Sequence, residues 1–193
     1  MINLLCRIAP GILAAVFMFE TEAWPSSDLR ACEQQMIPAA QEQGVPLGVL
    51  YAVGMTETGK KGSLHPNALN IEGKTIFTNS VGEALAAFVK ARKSGAKLID
   101  LGCMQINHHY HGDKFASPEA MLDPRTNVAY AAKFLKHLRA REGSWTMAVA
   151  RYHAGPNNNP AQKRYICLVI GNLVASGFGA WTPESRRFCE KLR

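Results

Sequence analysis

The sequence lacks the patterns that would indicate a metalloprotein, a membrane-embedded protein or a repeat protein. It contains five cysteines, but no two of them stand at the spacing of a zinc site. His108, His109 and His111 occur without an H-E-x-x-H pattern, and adjacent histidines do not face one site in regular structure. The apolar run from Ile8 to Phe19 is too short to span a bilayer comfortably. With 193 residues and no internal repeat, we expect one domain with extra segments, no metal and no cofactor.

Acidic residues are also scarce relative to basic ones. The chain has 15 Asp and Glu against 22 Lys and Arg, a formal net charge of +7. A basic surface favours polyanionic partners: nucleic acid, a membrane surface or an acidic cell-wall polymer. The basic residues are scattered rather than grouped in blocks, which is also typical of an ordinary solvated surface.

The N-terminus has the pattern of a secretory signal peptide. Arg7 precedes the apolar run, and Ala23 is a small residue at a plausible cleavage point. The alternative interpretation is an uncleaved anchor. We expect residues 1–23 to be removed, which leaves a net charge of about +8 and no transmembrane segment. Export argues against nucleic acid as the partner and predicts a periplasmic or secreted protein.

Four cysteines remain once Cys6 leaves with the signal peptide. An even number in an exported chain suggests two disulfides, and three pairings are possible. We favour Cys32–Cys103, which would join the first helix to the segment around Cys103. The second pair would then be Cys167–Cys189, which would close the C-terminal tail on itself.

The periodicity of apolar residues predicts a mainly helical single domain with one small β-hairpin. The hairpin is expected at residues 69–71 and 75–77. Helices are expected at residues 30–43, from Pro46 to Gly59, and from a Ser80–Glu83 capping box to Lys93. A fourth is expected at residues 127–139, with Val128, Ala131, Leu135 and Leu138 on its inward face. The last two are expected from Ser144 to Tyr152 and, beyond Pro160, through Ile166, Val169, Ile170 and Leu173.

Glu57 is the strongest candidate for a chemical role. It is a lone carboxylate that closes the apolar stretch Val45–Met55, and helical spacing places it on the inward face with Leu50 and Val53. A carboxyl group held against a core loses hydration of its charged form, so its pKa rises and it stays protonated near neutrality. Protonation of a glycosidic oxygen requires such a group.

Four blocks in order carry a family resemblance. They are Glu57-Thr58, the segment Gly102–Asn107, Asp123-Pro124 with Asn127, and Arg151–Gly155. Together they resemble the soluble-type lytic transglycosylases, whose domain has a lysozyme-like α+β fold, over roughly residues 30 to 160. The chain departs from that family at Thr58, Cys103 and His153, where serine, leucine and asparagine are usual. The span from Glu57 to Met104 is longer than in compact members and is similar to a subgroup that serves envelope-spanning machines.

The resemblance implies a set of site residues. Glu57 would be catalytic, and the hydroxyl of Tyr152 would approach and orient its carboxyl group. Met104 and Gln105 would line the saccharide groove, while Asn107 is equally well explained as a groove residue or a helix cap. His153 would bring a pH dependence, since imidazole titrates near neutrality. The substrate-binding set is therefore Thr58, Met104, Gln105, Asn107, Tyr152, His153 and Ala154.

The resemblance also implies a reaction and a place in the cell. Glu57 would protonate the bond between N-acetylmuramic acid and N-acetylglucosamine in peptidoglycan, and then accept the proton of the muramic acid 6-hydroxyl as a 1,6-anhydro ring closes. The enzyme would act in the envelope of a Gram-negative bacterium, where a secretion, conjugation or flagellar apparatus is a further possible partner. The catalytic domain would span residues 24–160, with residues 161–193 as a helical extension packed on it.

Two alternatives stay open at this point. A hydrolytic muramidase on the same fold needs a second acid, for which Glu72 and Asp100 are candidates. A wall-binding scaffold would keep the groove without catalysis. The presence of Glu57, Gln105 and Tyr152 argues against that scaffold.

Overall fold

The structure, a computed structural model, describes residues 30–155 and 157–190. The predicted signal peptide lies outside these residues. The described part of the chain forms nine α-helices and four short strands. The helices are α1 (Ala31–Gln43), α2 (Leu47–Thr58), α3 (Val81–Lys93), α4 (His108–His111), α5 (Pro118–Leu122), α6 (Pro124–Glu142), α7 (Trp145–His153), α8 (Asn159–Ala175) and α9 (Pro183–Glu190). The strands are β1 (Ala68–Ile71), β2 (Lys74–Phe77), β3 (Ile99–Leu101) and β4 (Ile106–Asn107).

Side-chain caps begin several of these helices, as the sequence predicts. Glu83 donates its backbone N–H to the Ser80 hydroxyl at 3.2 Å, and its carboxylate accepts the Asn79 N–H at 2.9 Å. This arrangement is the predicted capping box, displaced by one residue on the carboxylate side. Ser144 likewise accepts the Met147 N–H at 3.2 Å at the start of α7. Each cap satisfies a donor that the first turn of a helix leaves without an intrahelical partner.

The predicted hairpin is present as part of a larger sheet. Strands β1 and β2 pair antiparallel around a turn at Glu72 and Gly73, both of which have positive φ. The sheet order is β2-β1-β3-β4, and all pairs are antiparallel. Strands β3 and β4 were not expected, because three and two residues are too few to show an alternating pattern. The fold is therefore mainly α, with a small sheet beside the helices.

Helix α6 runs through the core of the domain. The predicted inward stripe of Val128, Ala131, Leu135 and Leu138 is confirmed, since each is at most 1% exposed. The helix packs against α1 and α7, and α7 packs in turn against α8. Burial of such a stripe, rather than intrinsic propensity, supplies most of the stability of a helix in a protein.

Both predicted disulfides are confirmed. Cys32–Cys103 joins α1 to the segment between β3 and β4, with a Cα–Cα distance of 5.8 Å and both residues fully buried. Cys167–Cys189 joins α8 to α9, with a Cα–Cα distance of 5.7 Å. The bonds close loops of 71 and 22 residues. On the loop-entropy model they contribute about 4 and about 3 kcal/mol.

The C-terminal part of the described chain packs on the rest of the domain. Helix α8 lies against α2 and α7, and α9 lies against α8. The predicted domain boundary at residue 160 falls inside α8, and the domain limits stay predictions. Within residues 30–155 and 157–190, none of the helices combines the length and apolar character needed to cross a bilayer.

Candidate active site

Glu57 lies in the last turn of α2, and its carboxyl group is held by a tyrosine from a distant helix. The Tyr165 hydroxyl, on α8, donates to Glu57 Oε1 at 2.5 Å. Tyr165 is 3% exposed. The contact joins residues 108 positions apart, and it depends on the packing of α8 against α2.

The environment of Glu57 raises its pKa, as the sequence predicts. Loss of hydration on burial raises the pKa to about 8, outweighing the Tyr165 hydrogen bond, which lowers it. The nearby charge of Asp100 raises it further. Burial also raises the pKa of the Tyr165 hydroxyl well above its usual value, so Tyr165 stays a hydrogen-bond donor. Glu57 is therefore a neutral acid at pH 7.

The segment from Gly102 to Asn107 is held in place by the buried side chain of Asn127. The Asn127 amide oxygen accepts the Met104 N–H at 2.8 Å. Its amide nitrogen donates to the carbonyls of Leu101 at 2.9 Å and Met121 at 2.7 Å. Gly102 has φ +79°, and a Cβ there would lie 2.6 Å from Asn127 Nδ2, so only glycine fits. Two of the blocks recognised in the sequence thus support each other.

The position of Met104 corrects an expectation. Its side chain is 0% exposed, so it has no surface with which to line a saccharide groove. A Cβ added to Gly54 would lie 3.0 Å from Met104 Sδ, which shows how closely this sulfur packs on α2. The contribution of Met104 to the site comes from its backbone, because its carbonyl accepts a hydrogen bond from Tyr152.

Thr58 also differs from its expected role as a substrate-binding residue. It is 2% exposed, and its hydroxyl donates to the Cys103 carbonyl at 2.7 Å. The same oxygen accepts the His65 N–H at 3.3 Å. Since both capacities are used within the protein, Thr58 connects the end of α2 to the disulfide-bonded segment and so positions Glu57.

Tyr152 does not hold the Glu57 carboxyl group, contrary to the expectation from the family resemblance. Its hydroxyl donates to the Met104 carbonyl at 2.8 Å, and Tyr165 takes the position beside Glu57. Tyr165 was missed because the sequence around it reads as an ordinary amphipathic helix. Its only sequence signal is its place on the apolar side of α8, one residue before Ile166, and that pattern does not distinguish a site residue from a core residue.

Gln105 and Asn107 reach the cleft with part of their polar groups already bound. Gln105 has φ 47°, and its amide nitrogen donates to the carbonyls of Ala68 at 3.2 Å and Gly102 at 3.0 Å. Asn107 donates to Asp100 Oδ1 at 2.6 Å, and its amide oxygen caps α4. Asn107 therefore caps α4 and also lines the cleft.

His153 and Ala154 complete the helical side of the site. The His153 ring stacks on the Tyr165 ring, with centroids 4.3 Å apart and planes 4° from parallel. Partial burial lowers the pKa of His153, so its imidazole is neutral at pH 7. Ala154 is 7% exposed and contributes to the cleft wall. The histidine thus supports the tyrosine that in turn holds Glu57.

A cleft of about 600 Å³ connects these residues. The residues at its surface come from both the helices and the sheet. They include Glu57, Asn70, Gly73, Leu98, Asp100, Gln105, Asn107, Tyr110, His111, Phe134, Arg151, Tyr152, His153 and Ala154. The volume and the mixture of polar and aromatic groups suit a carbohydrate.

The two candidates for a second acid differ in position. Asp100, on β3, lines the cleft, and burial raises its pKa. Glu72 lies in the hairpin turn outside the cleft lining, and its carboxylate accepts the N–H groups of Lys97 at 2.7 Å and Leu98 at 3.0 Å. These bonds lower the pKa of Glu72, which is therefore an ionised structural group.

The histidine cluster is divided among separate contacts. His108 packs on Phe88, with ring centroids 4.8 Å apart. His111 Nδ1 is hydrogen-bonded to the Tyr130 hydroxyl at 2.9 Å. The described residues contain no group of His, Cys, Asp and Glu side chains arranged to hold a metal ion.

The chain matches the transglycosylase SLT domain over residues 34–166, more than half of its length. No curated protein and no solved structure matches it. The matched range contains Glu57, the segment 102–107 and Tyr165, so the domain and the cleft coincide. The chain therefore belongs to the transglycosylase SLT domain family, the soluble lytic transglycosylases of the lysozyme-like superfamily that act on peptidoglycan.

Proposed function

We propose that the protein cleaves the β-1,4 bond between N-acetylmuramic acid and N-acetylglucosamine and leaves a 1,6-anhydro end, with Glu57 as acid and then base. The observation that carries the proposal is the desolvated Glu57 carboxyl group, whose pKa of about 8 keeps its proton at neutral pH. It lines a cleft large enough for a glycan strand. Gln105, Asn107, Tyr152, His153 and Ala154 are proposed to contact the strand.

Tyr165 determines which carboxyl oxygen carries the proton. Because its hydroxyl donates to Glu57 Oε1, that oxygen is an acceptor, and Oε2 holds the acidic proton. In the first step Oε2 gives this proton to the bridging oxygen as the bond from the muramic acid C1 breaks. The carboxylate that results is stabilised by the charge-assisted bond from Tyr165.

In the second step the carboxylate removes the proton of the muramic acid 6-hydroxyl while O6 bonds to C1. The proton returns to Glu57, no water is consumed, and the two steps balance. The nucleophile belongs to the same sugar ring as C1, so it reacts at high effective concentration without a second carboxylate. The carboxylate form of Glu57 exists only between the two steps. The raised pKa of Glu57 therefore does not prevent the reaction.

Hydrolysis by a muramidase is the second candidate, and Asp100 is the observation in its favour. It lines the same cleft as Glu57, close enough for its charge to raise the Glu57 pKa. Activation of a water molecule requires an ionised Asp100. The Asn107 amide donates to it at 2.6 Å, which lowers its pKa against the effect of burial.

Product analysis separates the candidates. The protein is incubated with purified peptidoglycan sacculi, and the soluble fragments are analysed by mass. Anhydro ends support the proposal, reducing ends support the muramidase, and pelleting without release of fragments supports the non-catalytic scaffold. Glu57→Gln tests the acid, and Glu119→Gln is the matched control, since Glu119 is exposed on α5 outside the cleft.

We also propose that the protein acts outside the cytoplasm. The two disulfides support this location, because such bonds form and persist in oxidising compartments. Cleavage of residues 1–23 and recruitment by a secretion, conjugation or flagellar apparatus stay predictions from the sequence.

A further inference from the structure

We propose that Tyr110 is a stacking platform that binds a pyranose ring of the glycan strand at the edge of the cleft. The inference rests on the proposed function, because it assumes that the cleft binds a saccharide. Tyr110 lines the same cleft as Glu57 and is 66% exposed. Among the described residues it is the most exposed large hydrophobic side chain. An aromatic ring with this exposure adds little to the core, and its position on the cleft wall makes it available to a ligand.

The short helix that carries Tyr110 is anchored at its start. A four-residue helix is not stable by itself, so α4 depends on external contacts. Asn107 supplies the first of these, since its amide oxygen accepts the N–H of His109 at 2.9 Å and the N–H of Tyr110 at 3.3 Å. The Asn107 amide nitrogen is bound in turn to Asp100 on β3. The backbone of Tyr110 is therefore fixed relative to the cleft.

The side chains on either side of Tyr110 secure α4 to the core. The His108 ring packs on the buried Phe88. The His111 ring lies 4.9 Å from the Phe134 ring and is hydrogen-bonded to Tyr130. These contacts turn two of the four residues inward, while Tyr110 stays outward. The backbone that carries the Tyr110 ring is therefore in place before a ligand binds, which reduces the ordering entropy lost on binding.

The ring of Tyr110 keeps an open surface. Its one ring contact within the described residues is with His109, at 4.8 Å and an interplanar angle of 70°. This edge-to-face arrangement leaves at least one face of the phenol ring free. Leu98, which is 40% exposed, adds a second apolar surface to the lining of the cleft. Flat C–H-bearing sugar faces match such surfaces, whereas the polar groups near Glu57 match sugar hydroxyls and acetamido groups.

The test measures binding in the Glu57→Gln protein, so that cleavage does not interfere. The probes are sacculi, measured by pelleting, and β-1,4-linked N-acetylglucosamine oligomers, measured by calorimetry. We expect Tyr110→Ala to weaken binding of both by about 3- to 10-fold, the effect of losing one aromatic contact. Tyr110→Phe should bind as tightly as the parent, and Tyr110→Trp at least as tightly. Phe188→Ala, at an exposed aromatic outside the cleft, should change nothing.

Each contrary outcome is informative. Unchanged binding by Tyr110→Ala would overturn the platform. Equal losses of binding in Tyr110→Phe and Tyr110→Ala would also overturn it, because they would show that the hydroxyl, not the ring, binds the ligand. Failure of the Glu57→Gln parent to bind either probe would overturn it as well. Circular dichroism melting of Tyr110→Ala separates lost binding from lost folding. If the native protein releases no anhydro fragments but binds saccharide in a Tyr110-dependent way, the proposed reaction fails and the platform stands.

Discussion

The helices and the sheet on either side of the cleft hold carboxyl groups in opposite protonation states. On the helical wall, Glu57 is held in a dry environment between α2 and α8, and its pKa rises to about 8. On the sheet side, Glu72 is exposed at the hairpin turn, and two backbone N–H groups lower its pKa. Asp100 lies between these extremes, because burial raises its pKa while the Asn107 amide lowers it.

The difference shows that residue type does not determine the role of a carboxyl group. Packing of α8 against α2 shields much of Glu57 from water and places the Tyr165 hydroxyl beside its carboxyl group as a donor. The sheet edge leaves Glu72 in solvent, where its carboxylate accepts the backbone N–H groups of Lys97 and Leu98 just before β3. An acid in the first environment can give a proton, whereas an acid in the second stabilises a turn.

Glu57→Gln should have the largest effect on activity, since it removes the proposed proton donor. Cleavage of sacculi should fall by at least about a hundredfold, because general acid catalysis is lost. The folded protein should become more stable above pH 5. The native pKa of about 8 exceeds the value of 4.5 for a free glutamate, so the stability that Glu57 contributes falls as pH rises between these values. At pH 7 the variant should gain about 3 kcal/mol.

Denaturant unfolding of the parent and Glu57→Gln at pH 4, 5, 7 and 8 tests this pH dependence. The gain in free energy of unfolding of the variant should be absent at pH 4 and grow up to about pH 8. A variant that is no more stable than the parent at pH 7 would mean that the carboxyl group is open to solvent, and the single-acid mechanism would then lose its basis.

Tyr165→Phe should have the next largest effect, because it removes the hydroxyl that donates to the Glu57 carboxyl group. Loss of a hydrogen bond to a charged group should lower kcat by about 10- to 100-fold. That bond lowers the Glu57 pKa, so the alkaline limb of the pH–rate profile should move to higher pH. Tyr51→Phe, the same change on α2 outside the cleft, is the control. A profile that keeps its position would contradict the role assigned to Tyr165.

Asp100→Asn should have a smaller effect and the opposite direction on the pH profile. Its charge raises the Glu57 pKa, so the alkaline limb should move to lower pH. Activity should fall less than about tenfold, and the products should keep their anhydro ends. Loss of activity as complete as in Glu57→Gln, with reducing ends in the native protein, would favour the muramidase.

Glu72→Gln should have the smallest effect. The carboxamide oxygen can still accept the N–H groups of Lys97 and Leu98, so the turn should be kept and the rate of cleavage should stay within about twofold. Rates on sacculi at neutral pH measure this. An effect as severe as that of Glu57→Gln would require a second acid on the sheet side.

Local patterns in the sequence predicted a large part of the fold. The capping box at Ser80, the cap at Ser144 and the inward stripe of α6 depend on residues a few positions apart, and all three are confirmed. Both disulfide pairings are confirmed as well. The strands β3 and β4 escaped prediction because the pairing of β3 with β1 and of β4 with β3, rather than any internal pattern, makes these short segments extended.

The candidate site was predicted only in part. Glu57 and its raised pKa followed from the apolar face of α2, and the order of the four blocks indicated the family. The burial of Met104, the closed hydrogen bonds of Thr58 and the exchange of Tyr152 for Tyr165 did not follow. Each of these three contacts depends on a segment that packs against the residue in the folded protein but is far from it in sequence.

The sequence by itself determined the six longest helices of the described chain, the caps at Ser80 and Ser144 and the position of one apolar-faced glutamate, because these depend on spacing along the chain. Spacing alone left three cysteine pairings possible. Only the tertiary structure decided that Tyr165 holds that glutamate, that Asp100 shares its cleft and that Tyr110 stays exposed. The physical reason is that hydration, charge and hydrogen bonding act through space. A carboxyl group acquires its pKa from whatever the folded chain brings beside it.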